Sequence, residues 1–250
     1  MTAIASTSVH RVSETILTRE GFRVRPYTSH CNVIYGDGDH AIIGISPGNS
    51  YFSRNRIRDL AAWGLSHFDR VDLVYTDVHV AEMHQALGYS EDDARRKAVK
   101  NLRGVRAKVT STMEELDPSG HRLQARAMSE FRSIDGYRAL FEDLGQRLAD
   151  DEEFREMCDA LVDRFLSTKL LGGAKPSTHQ RRVCRDYICA EAPLFLDTPA
   201  ILGVPSSLNC YHQLLPMAEL LYSRGSGLRA SRNQGHAIVT PIGDTDDDSY

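Results

Sequence analysis

The chain has 250 residues, of which 41% are hydrophobic and 26% charged, and its formal net charge is −4. That composition is typical of a globular protein with a sizeable core, and no apolar run approaches the ~18 residues that a membrane-spanning helix needs. The five cysteines form no C-x-x-C pair and the N-terminus lacks a secretory signal, so we expect reduced thiols in a cytoplasmic protein. The histidine spacing predicts no metal site, and no motif indicates a cofactor.

One domain is expected over residues 16–242, between a disordered N-terminus (1–15) and an acidic, disordered tail (243–250). Short apolar, β-branched runs predict strands at 41–46, 71–75, 123–128, 200–204 and 236–239. Helical spacing is expected over 54–65, from Ser90 onward, and over 137–170 and 178–195, with Pro193 bending or ending the last helix. Helices that alternate with short buried strands predict an α/β fold with a largely parallel sheet.

A tight turn follows the first of these strands. Gly44-Ile-Ser-Pro-Gly48 matches the G-x-S-x-G pattern that places the nucleophile of α/β-hydrolases. Such an enzyme takes one oxyanion donor from the residue after the serine, and Pro47 has no N–H. Asp197 and His212 could complete a hydrolase triad, although nothing in their spacing selects them. From the turn alone, a serine hydrolase and a simple turn in which Ser46 caps the next helix both stay open.

Several segments together resemble the signature segments of the cyclodipeptide synthases. They are residues 40–53 around Ser46, 187–195 with the pattern Y-x-x-x-E followed by A-P, 204–212, and 74–79. The resemblance implies a Rossmann-like domain similar to the catalytic domain of class I aminoacyl-tRNA synthetases. It also implies an enzyme that forms a diketopiperazine from two aminoacyl-tRNAs. A synthetase itself is disfavoured, because the sequence has no HIGH-like, KMSKS-like or Walker A segment for ATP.

The resemblance further implies a covalent mechanism in which Ser46 carries first an aminoacyl and then a dipeptidyl group. Tyr187 and Glu191 would hold the α-ammonium of the first residue. Their i, i+4 spacing supports this independently, because it places phenol and carboxylate on one helix face, although an ordinary surface pair is the alternative. Tyr211 is implied as a proton relay, since a phenol with a pKa of ~10 passes a proton more readily than it holds a charge.

Other residues are implied to surround the two amino acids. Asn49 and His212 would position the catalytic loop and the second substrate, with a buried structural histidine as the alternative for His212. The first side-chain pocket would comprise Ile42, Gly44, Val74, Met128 and Leu194. The second pocket would comprise Asn49, Leu161, Thr168, Asn209, Leu215 and Pro216. The first set is apolar or small, which predicts an aliphatic or aromatic first residue, whereas Asn209 leaves a polar second residue or a wide pocket open. Plain core packing is the alternative for each of these side chains.

Basic residues cluster on one expected helix, and they are Arg95, Arg96, Lys97, Lys100, Arg103, Arg106 and Lys108. Arg96, Lys100, Arg103 and Arg106 recur at three- and four-residue intervals, which predicts a stripe that tracks tRNA phosphates. A solvated charged face is the alternative, and a non-catalytic tRNA-binding protein would carry the same stripe. The expected partners are two aminoacyl-tRNAs, without DNA or membrane. A monomer is expected, with a homodimer as the alternative.

Overall fold

The structure is a computed structural model that describes residues 15–170, 175–224 and 227–243. Nearly all of the predicted disordered N-terminus and tail lies outside these ranges. The strands are β1 (Leu17–Arg19), β2 (Phe22–Pro26), β3 (His40–Ile45), β4 (Arg70–Tyr75), β5 (Leu123–Ala127), β6 (Ser207–Tyr211) and β7 (Gln234–Pro241). The helices are α1 (Ser29–Asp37), α2 (Arg54–His67), α3 (Val80–Ala86), α4 (Glu91–Leu116), α5 (Met128–Phe131), α6 (Asp135–Asp150), α7 (Glu152–Ser167), α8 (Thr178–Leu202) and α9 (Pro216–Ser223).

The seven described strands form one sheet in the order β1-β2-β7-β6-β3-β4-β5. The five strands from β7 to β5 are parallel, and β1 and β2 pair antiparallel at one edge. From β3 the chain first adds β4 and β5 on one side and later β6 and β7 on the other. This reversal creates a topological switch point between β3 and β6, and ligands of open α/β sheets bind outside the strand carboxyl ends at such a point.

Helices cover both faces of the sheet. Helices α1, α2 and α4 pack on the face that carries Ile43 and Leu73, and α8 packs on the other face, which carries Ile42 and Val74. The strands β3 and β4 are therefore buried on both sides, which explains their near-continuous apolar sequences. The predicted α/β architecture with a mainly parallel sheet is confirmed.

Most of the predicted elements occur where the pattern placed them, and three differ from the prediction. The run 200–204 is not a strand but the end of α8 and the loop after it, because a short apolar run cannot by itself distinguish a strand from a buried helix. The single periodicity over 137–170 is divided between α6 and α7, since the side chain of Asp151 caps a new helix by accepting from Phe154 N at 2.9 Å.

Helix α8 also departs from its prediction. It runs through Pro193 and is interrupted only at Asp197, whose φ of −161° and ψ of 65° are not helical. No helix in the described ranges has the length and apolar character needed to cross a membrane.

Candidate active site

Ser46 lies in a tight turn directly after β3, at the switch point of the sheet. The Asn49 N–H closes the turn by donating to the Ser46 carbonyl at 3.2 Å. Gly48 has a φ of +79°, and a Cβ there would lie 2.3 Å from the Asn101 side chain on α4. The next helix is capped by Ser53, so the interpretation of Ser46 as the cap of α2 is wrong.

The hydroxyl of Ser46 hydrogen-bonds to the Tyr211 hydroxyl at 2.8 Å, and either group can be the donor. Tyr211 is the last residue of β6, the strand on the other side of the switch point. Burial raises the pKa of Tyr211 to about 12, against the opposing effect of its hydrogen bond to Ser46. Gly44 leaves room for this phenol, because a Cβ at Gly44 would lie 3.2 Å from the Tyr211 ring. The serine therefore faces a phenol that stays protonated at neutral pH.

Tyr187 and Glu191 on α8 are joined by a residue that sequence reasoning missed. Thr76 follows β4, and its hydroxyl donates to Glu191 Oε1 at 2.6 Å and shares a hydrogen bond with Tyr187. Burial raises the pKa of the Glu191 carboxyl and of the Tyr187 phenol. A buried carboxyl with two neighbouring hydroxyls is a suitable site for an ammonium group, whose charge would favour ionisation of Glu191.

Asn49 and His212 lie in one packed group beside the turn. Asn49 Oδ1 accepts from Tyr51 N at 2.9 Å, and the ring of Tyr51 stacks on His212 at 4.0 Å between centroids. The Arg56 guanidinium lies 4.7 Å from the Tyr51 ring centroid and donates to the Tyr51 hydroxyl. Burial and the charge of Arg56 lower the pKa of His212 to about 4. His212 is therefore neutral at physiological pH and suited to packing rather than to carrying charge.

Four of the five first-pocket residues share one buried apolar cluster between β3, β4 and α8, and these are Ile42, Val74, Met128 and Leu194. Gly44 lies at the edge of this region under the Tyr211 ring. Asn209 belongs here too, because it pairs with Ile42 in the sheet and its Nδ2 donates to the Leu194 carbonyl at 2.9 Å. The placement of Asn209 in the second pocket is therefore not supported by the structure.

The remaining second-pocket residues do not form a single cluster. Leu161 and Leu215 contribute to the main apolar core, and Thr168 is exposed at the end of α7, where its hydroxyl donates to the Phe165 carbonyl at 2.8 Å. Pro216 is the first residue of α9. The residues predicted for the first pocket thus lie together, whereas those predicted for the second are dispersed.

The predicted basic helix is α4, and its cations point in different directions. Arg95 and Arg96 pair with acidic residues of the first turn, and Lys97 lies over the Tyr89 ring. Lys100 and Arg103 are exposed and make no ion pair within the described ranges.

The last two cations of the basic cluster contact residues near the Ser46 turn. Arg106 donates to the Tyr75 hydroxyl at 3.2 Å, and Lys108 donates to the Phe52 carbonyl at 2.7 Å. Lys108, which the helical spacing leaves outside the stripe, therefore supports the loop after Ser46.

The geometry disfavours a hydrolase triad. His212 Nε2 is buried without a hydrogen-bond partner in the described part of the chain, and Asp197 accepts from Ala200 N and Ser231 Oγ at the break in α8.

Burial also raises the pKa of the Cys158 thiol to about 11 and that of Cys184 and Cys189 to about 12, so these thiols are poor nucleophiles. Within the described residues, no group of three or more potential ligands could hold a metal ion.

The fold and the site define an α/β protein with a serine-bearing turn at the switch point of a mainly parallel sheet. Comparisons with known proteins specify the family. The family model for cyclodipeptide synthase matches residues 22–241. The chain is 68% identical over 225 residues to cyclo(L-tyrosyl-L-tyrosyl) synthase from Mycobacterium tuberculosis, covering 90% of this chain and 78% of that protein. It is 34% identical over 221 residues to cyclo(L-leucyl-L-phenylalanyl) synthase from Streptomyces noursei, covering 88% and 92% respectively.

The fold agrees with these similarities. A solved Mycobacterium tuberculosis protein, described as demonstrating that cyclodipeptide synthetases are related to type I tRNA synthetases, superimposes with a TM-score of 0.88 at 68% identity. The match covers 93% of this chain and 98% of that one. The chain belongs to the cyclodipeptide synthase family, and the predicted family and Rossmann-like fold are confirmed.

Proposed function

We propose that this cyclodipeptide synthase joins two tyrosyl groups from tyrosyl-tRNA, with Ser46 as the covalent carrier. The observation that carries the proposal is the 2.8 Å hydrogen bond between Ser46 Oγ and the Tyr211 hydroxyl, at the same sheet edge as the buried Tyr187–Thr76–Glu191 group. A nucleophile and a site for an α-ammonium are both required to hold one aminoacyl ester for attack.

In the first step, Ser46 Oγ bonds to the ester carbonyl carbon, and the bond from that carbon to the tRNA ribose oxygen breaks. The Tyr211 hydroxyl takes the serine proton as it gives its own proton toward the leaving oxygen. Because its pKa is raised to about 12, Tyr211 begins and ends the step as a neutral phenol. The products are an aminoacyl ester on Ser46 and free tRNA.

Two further steps complete the product. The amine of the Ser46-bound residue attacks the second aminoacyl ester, which forms an amide bond and releases the second tRNA with a proton on its ribose oxygen. The free amine of the dipeptide then attacks the Ser46 ester. The ring closes as a diketopiperazine, and Ser46 recovers its proton. No ATP is consumed, because the ester of each aminoacyl-tRNA is already activated.

The assignment of tyrosine rests on the 68% identical relative and on the side-chain oxygen of Asn209, which lies beside the predicted first pocket. Asn209 is 4% exposed, and its Oδ1 has no hydrogen-bond partner among the described residues. An unpartnered buried amide oxygen beside an apolar cluster suits an aromatic side chain that ends in a hydroxyl donor. Phenylalanine or leucine would leave this oxygen unpaired.

Recognition of tRNA is assigned to the exposed part of α4 around Lys100 and Arg103. These side chains are exposed, and they lie on the helix that packs beside the Ser46 turn through Asn101. Contacts to phosphate supply sequence-independent affinity, which suits an enzyme that receives different tRNAs at one surface.

The test is mass spectrometry of the medium from bacterial cultures that express the chain, Ser46→Ala or Ser50→Ala. Ser50 is an exposed serine of the same turn and provides a matched control. We expect the mass of cyclo(Tyr-Tyr) with the unmodified chain and with Ser50→Ala, and its absence with Ser46→Ala. Cyclic dipeptides of other amino acids would overturn the tyrosine assignment, and the same product from Ser46→Ala would overturn the role of Ser46.

A further inference from the structure

Helix α8 carries Tyr187 and Glu191, and it is broken at Asp197 in an ordered way. In an uninterrupted helix, Thr198 N would donate to the Leu194 carbonyl and Ala200 N to the Leu196 carbonyl. At the break, Thr198 N instead donates to Gln234 Oε1 at 2.8 Å, and Ala200 N donates to Asp197 Oδ1 at 3.2 Å.

The released carbonyls also have new partners. The Leu194 carbonyl accepts from Asn209 Nδ2 at 2.9 Å and from Thr198 Oγ1 at 2.7 Å, and the Leu196 carbonyl accepts from Ser231 N at 2.7 Å. Several of these donors and acceptors belong to β6, β7 or the segment before β7. The sheet therefore holds the break through specific polar contacts. Pro199 also favours the break, because proline has no N–H to donate within the helix.

Gln234 is the residue that joins the break to two strands. Its side chain is 1% exposed, and its Nε2 donates to the Ser207 carbonyl at 3.2 Å and to the Gly235 carbonyl at 3.0 Å, while its Oε1 accepts from α8. All three contacts use the side-chain amide, so an apolar side chain of the same length would lose all of them.

The break is aligned with the ammonium site. Tyr187, Glu191 and Leu194 follow one another at intervals of four and three residues, which places them on a single stripe of the helix before the break. The end of this stripe is fixed at Leu194 by Asn209, and Gln234 holds Thr198 directly after the break. The rotation and depth of α8 at Glu191 depend on those contacts.

We infer that Gln234 is a positioning residue that sets the Glu191 carboxyl for the α-ammonium of the substrate by holding the break in α8. The inference rests on the proposed function, because Glu191 is assigned to that ammonium there. A displacement of ~1 Å at a reacting group can cost roughly a hundredfold, so a contact remote from the chemistry can matter.

The experiment compares binding of charged and uncharged tRNA in a Ser46→Ala background, which prevents acyl transfer. The ligands are tRNA carrying tyrosine through a stable 3′-amide link and the same tRNA without tyrosine. The variants are Gln234→Met and Ser231→Ala, which removes the 3.0 Å bond from Ser231 Oγ to Asp197 and is the milder change. Gln180→Met is the control, because it removes the polar cap at the other end of α8. Thermal unfolding confirms that each variant is folded at the assay temperature.

We expect the Kd for charged tRNA to rise about tenfold in Gln234→Met and less in Ser231→Ala. A tenfold rise corresponds to the loss of about one polar contact in the ammonium site. The Kd for uncharged tRNA should stay unchanged in both, and Gln180→Met should bind both ligands as the parent does. If folded Gln234→Met and Ser231→Ala both keep the parent's preference for charged tRNA, the positioning role is overturned. If the Ser46→Ala parent has no such preference, the ammonium site of the proposed function fails as well.

Discussion

At the scale of single residues, Thr76 links the two groups assigned to the substrate ammonium. Its hydroxyl contacts both Tyr187 and Glu191, which lie more than one hundred residues further along the chain. If the hydroxyl is removed, the Glu191 carboxyl loses its 2.6 Å donor and becomes free to rotate. Thr76 therefore belongs to the proposed ammonium site although it need not touch the substrate.

We expect Thr76→Val, which keeps the shape of the side chain, to raise the KM for tyrosyl-tRNA about fivefold to tenfold. This is the effect expected from the loss of one net hydrogen bond of roughly 1 kcal/mol. Steady-state kinetics of the purified variant measures it. Thr112→Val on α4 is the matched control, because the Thr112 hydroxyl is buried without a partner in the described part of the chain and its loss should leave KM unchanged. An unchanged KM in Thr76→Val would remove Thr76 from the site.

Sequence alone could not identify Thr76. The strand before it was predicted from its apolar run, but a single threonine at a strand end carries no pattern of its own. The contact depends on how deeply α8 packs against the sheet, which is a tertiary property. The Ser46 turn was predictable for the opposite reason, because Pro47, Gly48 and Asn49 determine a local backbone shape.

At the scale of elements, α4 performs two tasks. It presents Lys100 and Arg103 to solvent, and it contacts the end of β4 through Arg106 and the loop after Ser46 through Lys108. The sequence indicated a stripe of Arg96, Lys100, Arg103 and Arg106 within a basic cluster. Helical spacing assigns residues to a face but cannot decide which cation finds a carbonyl or hydroxyl partner. Only the packing of α4 beside the loop after Ser46 separates Lys108 from the exposed cations.

The two tasks predict different effects of salt. Lys100→Met should weaken tRNA binding and reduce the slope of log Kd against log salt by about one, as expected for a lost phosphate contact. Lys108→Met should lower kcat and leave the slope unchanged, because it frees the Phe52 carbonyl beside the catalytic turn. Fluorescence titrations at several salt concentrations, combined with steady-state rates, separate these outcomes. A reduced slope in Lys108→Met would return that residue to the tRNA surface.

At the scale of the whole molecule, a buried polar row crosses four strands of the sheet. Asp72 on β4 accepts from Arg126 at 3.0 Å and pairs with His40 at 3.0 Å, and His40 contacts the Ser207 hydroxyl at 2.8 Å. Burial raises the pKa of Asp72, but the hydrogen bond and charge of His40, together with Arg126, outweigh burial and lower the pKa below its ordinary value. The row connects β5, β4, β3 and β6 on the face opposite to α2.

This row predicts a pH-dependent stability. A carboxyl with a lowered folded pKa stabilises the protein fully above its unfolded pKa of ~3.9, and the stabilisation is lost as the pH falls through the folded value. At about pH 7, we expect Asp72→Asn to lower the free energy of unfolding by about 3–5 kcal/mol, since it breaks a buried pair. The difference between the two proteins should shrink below about pH 4.

Urea unfolding at both pH values measures this effect. Asp143→Asn is the control, because Asp143 forms a half-exposed pair with Arg147 on α6 at 3.6 Å and should contribute less than about 1 kcal/mol. If the difference in free energy of unfolding between Asp72→Asn and the unmodified chain stayed constant with pH, this would argue against an ionised Asp72 carboxylate in the folded protein.

The central claim is that Ser46 carries the growing product, and trapping the acyl-enzyme tests it most directly. The purified chain is mixed with tyrosyl-tRNA, quenched in acid within a turnover and digested, and the peptide that contains Ser46 is weighed by mass spectrometry. We expect a fraction of that peptide to gain the mass of one tyrosyl residue, with fragmentation placing the gain on Ser46, and Ser46→Ala to show none. A tyrosyl group on another residue, or product released without any loaded Ser46 peptide at every quench time, would contradict the covalent mechanism.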